Sequence, residues 1–406
     1  MTDMPAPRFL DRTTAPHIAT LVIVTSLSAL SMSIYLPSLP AMTEYFHAEY
    51  WVLQLSVSLY LAGNAMLQLV VGPLSDRYGR RPVMLGGFAI FILATLGCIL
   101  AGSVAVFLLF RMLQSTVVVG MVLSRAVVRD IHDSDQSAAM IGYVMMGMSV
   151  VPLIGPTLGG ILNDAFGWKA CFWALLLIGV VVTGLIYTDL GETARSKGRS
   201  FRDQISEYPE LLTSPRFWGY TLCAMLSSGL FFAYLGGAPF VGVTLFGLSP
   251  TGLGIGLGVP AIGYFFGNFL SGRFSVAMGI NRMVLAGCMV AATGALLELV
   301  IFALGHGGPV PFFGLMSLVA VGNGMTLPNT IAGTLSVRPL LAGSAAGLGG
   351  ALQVAGGAVA AAASGAFLTV ESGAMPLLWL MMSCAAGAVG AILFVIARTR
   401  GLAGQS

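Results

Sequence analysis

A chain of 406 residues that is 57% hydrophobic and only 9% charged, with a mean hydropathy of +0.90, is too apolar for a water-soluble domain. Its formal net charge of +3 provides no basic tract for nucleic acid, and its five cysteines have neither metal-ligand spacing nor a disulfide framework. What remains is a protein whose partners include the lipid bilayer itself.

A spanning helix takes roughly 20 apolar residues. Segments of that kind fall near 17–38, 51–71, 83–102, 105–127, 137–162, 168–188, 217–238, 250–271, 283–304, 311–333, 342–368 and 375–397. The fold class read from them is all-α and integral to the membrane, with twelve transmembrane helices. Six spans lie in 1–188 and six in 217–406, joined by a polar cytoplasmic linker at 189–216. Arg8 and Arg12 precede the first span without a small-residue cleavage site, so no removed signal peptide is expected. With both termini in the cytoplasm, 17 of the 19 Lys and Arg residues fall at the inner side or its boundary. Lys169 is then outside and Arg111 lies within a span.

In chain order, the first polar device is the charged turn Gly72-Pro73-Leu74-Ser75-Asp76-Arg77-Tyr78-Gly79-Arg80-Arg81-Pro82 between the second and third spans. An acid held against arginines at a helix end can latch one conformation and release in another. Plain inner flanking charge would need neither Asp76 nor the paired Gly72 and Gly79. In the fourth span, Arg111 is followed by Gln114 and Ser115. An arginine inside a span costs roughly 2.5–3.5 kcal/mol on insertion scales. It therefore either meets a polar or anionic neighbour within the bundle or snorkels to the outer interface.

The fifth span carries Gly147, Pro152, Gly155, Pro156, Gly159 and Gly160. Gly155 and Gly159 form a small-residue face for close helix packing, and the prolines bend the helix. Further on, Leu270-Ser271-Gly272-Arg273-Phe274 echoes Leu74-Ser75-Asp76-Arg77-Tyr78 at the same place in the second half. That echo points to two six-helix pseudo-repeats around a central cavity. Among the acids, only Glu298 in the ninth span falls deep in apolar sequence. There is no phosphate-binding loop and no catalytic or metal-binding constellation, so neither an enzyme nor an ATP-driven pump is expected, and no cofactor.

These motifs resemble those of the major facilitator superfamily of secondary transporters. The turn at 72–82 is similar to its motif A, and Arg111 with Gln114 to its motif B, with Ser115 where that family usually has glycine. Gly155-Pro156-Thr157-Leu158-Gly159-Gly160 resembles motif C of the drug:proton antiporters, although Val151 replaces an upstream glycine. Ser33-Ile34-Tyr35-Leu36-Pro37-Ser38-Leu39-Pro40 looks like the bicyclomycin/chloramphenicol-resistance (Bcr/CflA) branch, in which aspartate commonly stands at the position of Ser33.

The resemblance implies a bacterial inner-membrane exporter of small amphiphilic drugs or metabolites, working as a monomer by proton antiport with alternating access. Ser33 keeps an alternative open, an uncoupled facilitator or an uptake carrier for a small metabolite. In this fold the first, fourth, seventh and tenth spans line the path, which nominates Ser33, Tyr35, Arg111, Gln114, Tyr234, Asn323 and Asn329 for the cavity. Apart from Arg111 that set is neutral, which suits neutral or mildly anionic compounds. The missing acid leaves Glu298, or another non-standard group such as Asp164, as the candidate for proton coupling, with indirect coupling through a charged substrate as an alternative. The peripheral place of the ninth helix in this fold would turn the Glu298 side chain toward lipid.

Overall fold

The computed structural model describes residues 8–131, 154–194, 208–338 and 341–403, together with 140, 144 and 151. Gly147 and Pro152 lie outside the described residues. The long elements are all helices: α1 (Ile18–Ser33), α2 (Leu39–Phe46), α3 (Tyr50–Tyr78), α4 (Arg80–Leu100), α5 (Val104–Gln114), α6 (Val118–Ile131), α7 (154–166) and α8 (Lys169–Asp189). They continue as α9 (Pro215–Phe240), α10 (Pro250–Met278), α11 (Ile280–Ala303), α12 (Pro309–Ser336), α13 (Ala342–Ala366) and α14 (Met375–Ala403).

Taking α1 with α2 and α5 with α6 as single broken spans, 11 segments among the described residues are long and apolar enough to cross a membrane. They run from 21 to 31 residues. At about 1.5 Å per residue each exceeds the roughly 30 Å of a hydrocarbon core. The expected span at 137–162 is described continuously only from 154, as α7. Helices are required here because lipid offers no partner for backbone N–H and C=O groups. The outward faces carry large apolar side chains in the open, among them Leu93, Leu177, Val181, Phe269 and Val276.

Two spans are broken where the sequence gives a physical reason. Between α1 and α2 a 3₁₀ turn at Leu36–Ser38 carries Pro37, and Pro40 follows in the first turn of α2. A proline has no N–H to donate, so it fits a first turn and not a helix interior. Between α5 and α6 the break is a 3₁₀ turn at Ser115–Val117, where the Ser115 hydroxyl donates to the Met112 carbonyl at 2.7 Å. The candidate residues Arg111 and Gln114 stand immediately before it.

The turns α3–α4 and α10–α11 are built alike. Gly79 (φ 97°, ψ 152°) and Gly279 (φ 81°, ψ 151°) each end one long helix and begin the next. That combination is open essentially to glycine alone. The sequence echo between the halves therefore coincides with a shared backbone solution. α3 of the first half packs along α13 of the second, while α11 and α12 pack together and α9 packs against α13 and α14.

Candidate functional site

The polar residues of the apolar interior form distinct groups. In the first, Arg111 is fully buried. Its guanidinium lies between the rings of Tyr35 and Tyr60, 4.2 Å from each centroid. It donates to the Ser31 carbonyl at 2.9 Å, to the Ser31 hydroxyl at 3.5 Å, and to Gln114 Oε1. Gln114 in turn donates to Thr95 Oγ1 at 2.8 Å. The rings are fixed too: the Tyr35 hydroxyl is 3.0 Å from Ser56 Oγ, and Tyr60 donates to the Ser28 carbonyl at 3.2 Å.

Arg111 thus faces the bundle and does not snorkel. Among the described residues it has no carboxylate partner, and its Nε has no acceptor. Two aromatic faces, each contributing about 0.5–2 kcal/mol, and three oxygen acceptors offset its desolvation. The site is a caged cation for which the described residues supply no counter-charge.

Ser33 stands outside this cage. Its hydroxyl donates to the Ala29 carbonyl at 3.2 Å and faces Gly155 of α7, where a Cβ would come within 2.7 Å of the serine oxygen. The glycines of α7 face two ways. A Cβ on Gly159 would overlap the carbonyl oxygen of Ile34 at the end of α1, and one on Gly160 would overlap that of Pro250 at the start of α10. α7 thus lies between α1 of its own half and α10 of the second, with backbone touching backbone on both sides.

At the same end of the molecule, Gln54 of α3 donates to the Ala361 carbonyl and, at 2.7 Å, to Ser364 Oγ, both on α13. The Tyr50 hydroxyl donates to the Gly236 carbonyl of α9 at 2.8 Å. Asp164 accepts from the N–H of Thr251 at 2.9 Å and from its hydroxyl, tying α7 to the first turn of α10. This seam was not read from the sequence, although Gly236 and Gly365 opposite Gln54 are the small residues that admit it.

The arginine-rich turn lies at the far end of α3. Arg80 pairs with Asp76 and, through Nε at 3.0 Å, with Asp130 of α6. Arg81 donates to the Tyr187 carbonyl at 3.0 Å and stands 4.9 Å from the Tyr187 ring centroid. Glu192 accepts from the N–H groups of Arg80 at 2.8 Å and Arg81 at 3.3 Å. Arg77 is elsewhere, 5.3 Å over the ring of Tyr78, and a Cβ on Gly72 would meet open space. Of the six residues read as a latch, the structure brings together Asp76, Gly79, Arg80 and Arg81, and adds Asp130 and Glu192. No local spacing announces Glu192, which lies 112 positions after Arg80.

In the second half, Asn323 donates to the Ser227 carbonyl at 3.2 Å, and Asn329 to Ser271 Oγ and the Met325 carbonyl, each at 2.8 Å. Tyr234 is fully buried beside Phe312, its hydroxyl without a partner. Glu298 is fully buried as well, so the lipid-facing position expected for it does not hold. Helix α11 packs against both α12 and α14, and Glu298 falls on the inward face.

The family model described as Major Facilitator Superfamily matches residues 21–361 of this sequence. The chain belongs to the major facilitator superfamily. It is 29% identical over 371 residues to multidrug resistance protein D of Escherichia coli, covering 89% of this chain and 91% of that one. It is 32% identical over 286 residues to a chloramphenicol resistance protein of Pseudomonas aeruginosa, covering 68% and 67%. These relatives agree with the resemblance to the Bcr/CflA branch. A crystal structure of a peptide transporter in complex with sulfate superposes with a TM-score of 0.76 over 94% of each chain at 13% identity, which speaks to the fold alone. This member of the superfamily is thus a multi-pass membrane transporter.

Proposed function

We propose that the protein exports small neutral or mildly anionic amphiphiles across the bacterial inner membrane. Two six-helix bundles, 1–188 and 217–406, rock about a central path and exchange substrate for protons. The arginine-rich end faces the cytoplasm, as the distribution of Lys and Arg favours.

The observation that carries alternating access is an asymmetry between the two ends. Among the described residues, direct hydrogen bonds between the halves, through Tyr50, Gln54, Thr157 and Thr251, gather at the end away from the arginines. Among the described residues the partners of Arg80 and Arg81 are Ser75, Asp76, Asp130 and Tyr187 in the first half and Glu192 at the start of the linker, with none in the second half. A carrier shut outside and free to load from the cytoplasm has this distribution of contacts.

The substrate class follows from the caged Arg111. An uncompensated cation in an otherwise neutral lining tolerates a neutral or anionic ligand and repels a cation. The names of the two relatives support drug-like cargo. A second reading, facilitation or uptake without protons, is favoured by Ser33, whose hydroxyl is engaged in α1 and offers no titrating group there.

Inverted vesicles overproducing the protein, acidified inside and followed with a pH-sensitive dye, separate the two readings. Proton release on adding chloramphenicol supports antiport. Transport that is indifferent to the pH gradient supports facilitation and defeats the antiport reading.

A further inference from the structure

A carboxyl group stands inside the second half with no partner among the described residues. Glu298 lies on α11, five residues before that helix ends at Ala303, and neither of its oxygens has a hydrogen-bond partner. Tyr234 of α9 belongs to the same buried apolar cluster as Ala295 and Leu299, which flank Glu298 on α11, and among the described residues the Tyr234 hydroxyl is equally buried and unpartnered. The rings beside Tyr234 are apolar. Phe312 and Phe313 lie 5.7 and 6.4 Å from the Tyr234 ring, and α12, which packs along α11, has no ionisable side chain.

The other helices against α11 bring no rescue. α14 offers Cys384 and, toward the arginine-rich end, Arg398; α10 offers Tyr264 and Arg273. On α11 itself Arg282 and Cys288 lie well along toward that same end, as do Arg216, Tyr220 and Cys223 on α9. A carboxylate buried without any partner is strongly disfavoured, whereas a neutral acid is tolerated.

We propose that Glu298 is the group that carries the coupled proton, with Tyr234 as its positioning partner; this rests on the antiport reading above. In the state described here Glu298 holds its proton. When the halves rock and water reaches the site, the carboxyl O–H bond breaks, its electron pair stays on the carboxylate, and the proton passes to water. The Tyr234 hydroxyl then donates to the new carboxylate. No redox change accompanies the step.

The link to the gate is α9. Two residues beyond Tyr234, the Gly236 carbonyl receives the Tyr50 hydroxyl from the first half, and Phe240 lies 5.2 Å from the Tyr50 ring. Pro239 and the wide π turn at Val241–Leu245 interrupt regular helical bonding at that point. The helix that carries Tyr234 is therefore also part of the seam that must open.

The test uses the full chain in proteoliposomes with chloramphenicol and bicyclomycin as probes. Glu298→Gln is expected to abolish drug-induced proton movement while drug-for-drug exchange persists, and Glu298→Asp to restore coupling. Tyr234→Phe is expected to slow proton movement about tenfold, the loss of one hydrogen bond to a charged group. Wild-type proton movement that survives in Glu298→Gln overturns this proposal and leaves antiport standing. No proton movement in the wild type, with exchange intact, overturns both. Infrared spectroscopy decides without any substrate: a neutral-acid C=O band at neutral pH that vanishes in Glu298→Gln is expected, and an ionised Glu298 at that pH overturns the assignment.

Discussion

Gly159 of α7 rests directly on the backbone of Ile34, so that a single added methyl would overlap the Ile34 carbonyl oxygen. Backbone cannot step aside as a side chain can. Gly159→Ala should therefore abolish drug export and lower the melting temperature in detergent. Gly155→Ala should be milder, because its methyl would meet the Ser33 hydroxyl at 2.7 Å, which can rotate. Gly86→Ala, in α4 with open space around it, serves as the control and should stabilise by about 0.5–1 kcal/mol. Normal export by Gly159→Ala would falsify the close approach of α1 and α7.

The cage of Arg111 makes a conservative substitution informative. Lysine keeps the charge but has no planar group to lie between Tyr35 and Tyr60, and cannot reproduce the paired donation to Ser31 and Gln114. Arg111→Lys should lose export nearly as fully as Arg111→Ala and melt lower than wild type. Each ring contact is worth about 0.5–2 kcal/mol, so Tyr60→Leu should show part of the same loss. The measurement is chloramphenicol efflux alongside a thermal melt. Export by Arg111→Lys at the wild-type rate would mean that only the charge matters.

The same cation predicts selectivity. Ethidium and other permanent cations should be exported poorly, since a second positive charge near an unpaired guanidinium is repelled. Introducing an acid beside it, by Ser31→Asp, at the residue whose hydroxyl the guanidinium meets at 3.5 Å, should widen the range toward cations. Cells carrying either form can be compared for ethidium retention. Strong ethidium efflux by the unaltered protein contradicts this reading of the cage.

At the arginine-rich turn, Glu192 holds the N–H groups of Arg80 and Arg81 at the start of α4, where an acid also complements the helix dipole. Asp130 holds the Arg80 side chain through a half-buried pair. Glu192→Gln and Asp130→Asn should each cost only about 1 kcal/mol of stability, in keeping with partly exposed pairs. Their effect on transport rate should be larger, because Arg80 is then free to leave Asp76. A double-mutant cycle on efflux rate, including Asp76→Asn, checks this; additive effects would show that the three acids do not act through one arginine.

How much of this was legible follows the range of the interaction. The broken first span was visible in Pro37 and Pro40, and the turn between the second and third spans in Gly79, because both are local backbone chemistry. The cluster of Arg111 with Gln114 was half visible, since positions three apart share a helix face. Tyr60 and Ser31 complete it from other helices, which no spacing announces. Glu298 was singled out as the one deep acid, yet its facing was misread, because a helix with apolar residues all round gives no sign of which side meets lipid. Gln54, Asp164 and Glu192 hold contacts across 87 to 310 residues of chain and were beyond sequence reasoning.

The seam at the end away from the arginines allows the alternating-access reading to be tested directly. Gln54 Nε2 lies 2.7 Å from Ser364 Oγ, across the boundary between the halves. The five native cysteines are all buried, so they can be replaced by alanine or serine to give a quiet background. Gln54→Cys combined with Ser364→Cys should then cross-link under mild oxidation and stop transport, with activity returning on reduction. If the carrier rocks, adding substrate should slow the cross-linking, since the open-out state separates α3 from α13. Transport that continues at the full rate in the cross-linked protein would mean that α3 and α13 need not part, and the gate would have to lie between other helices.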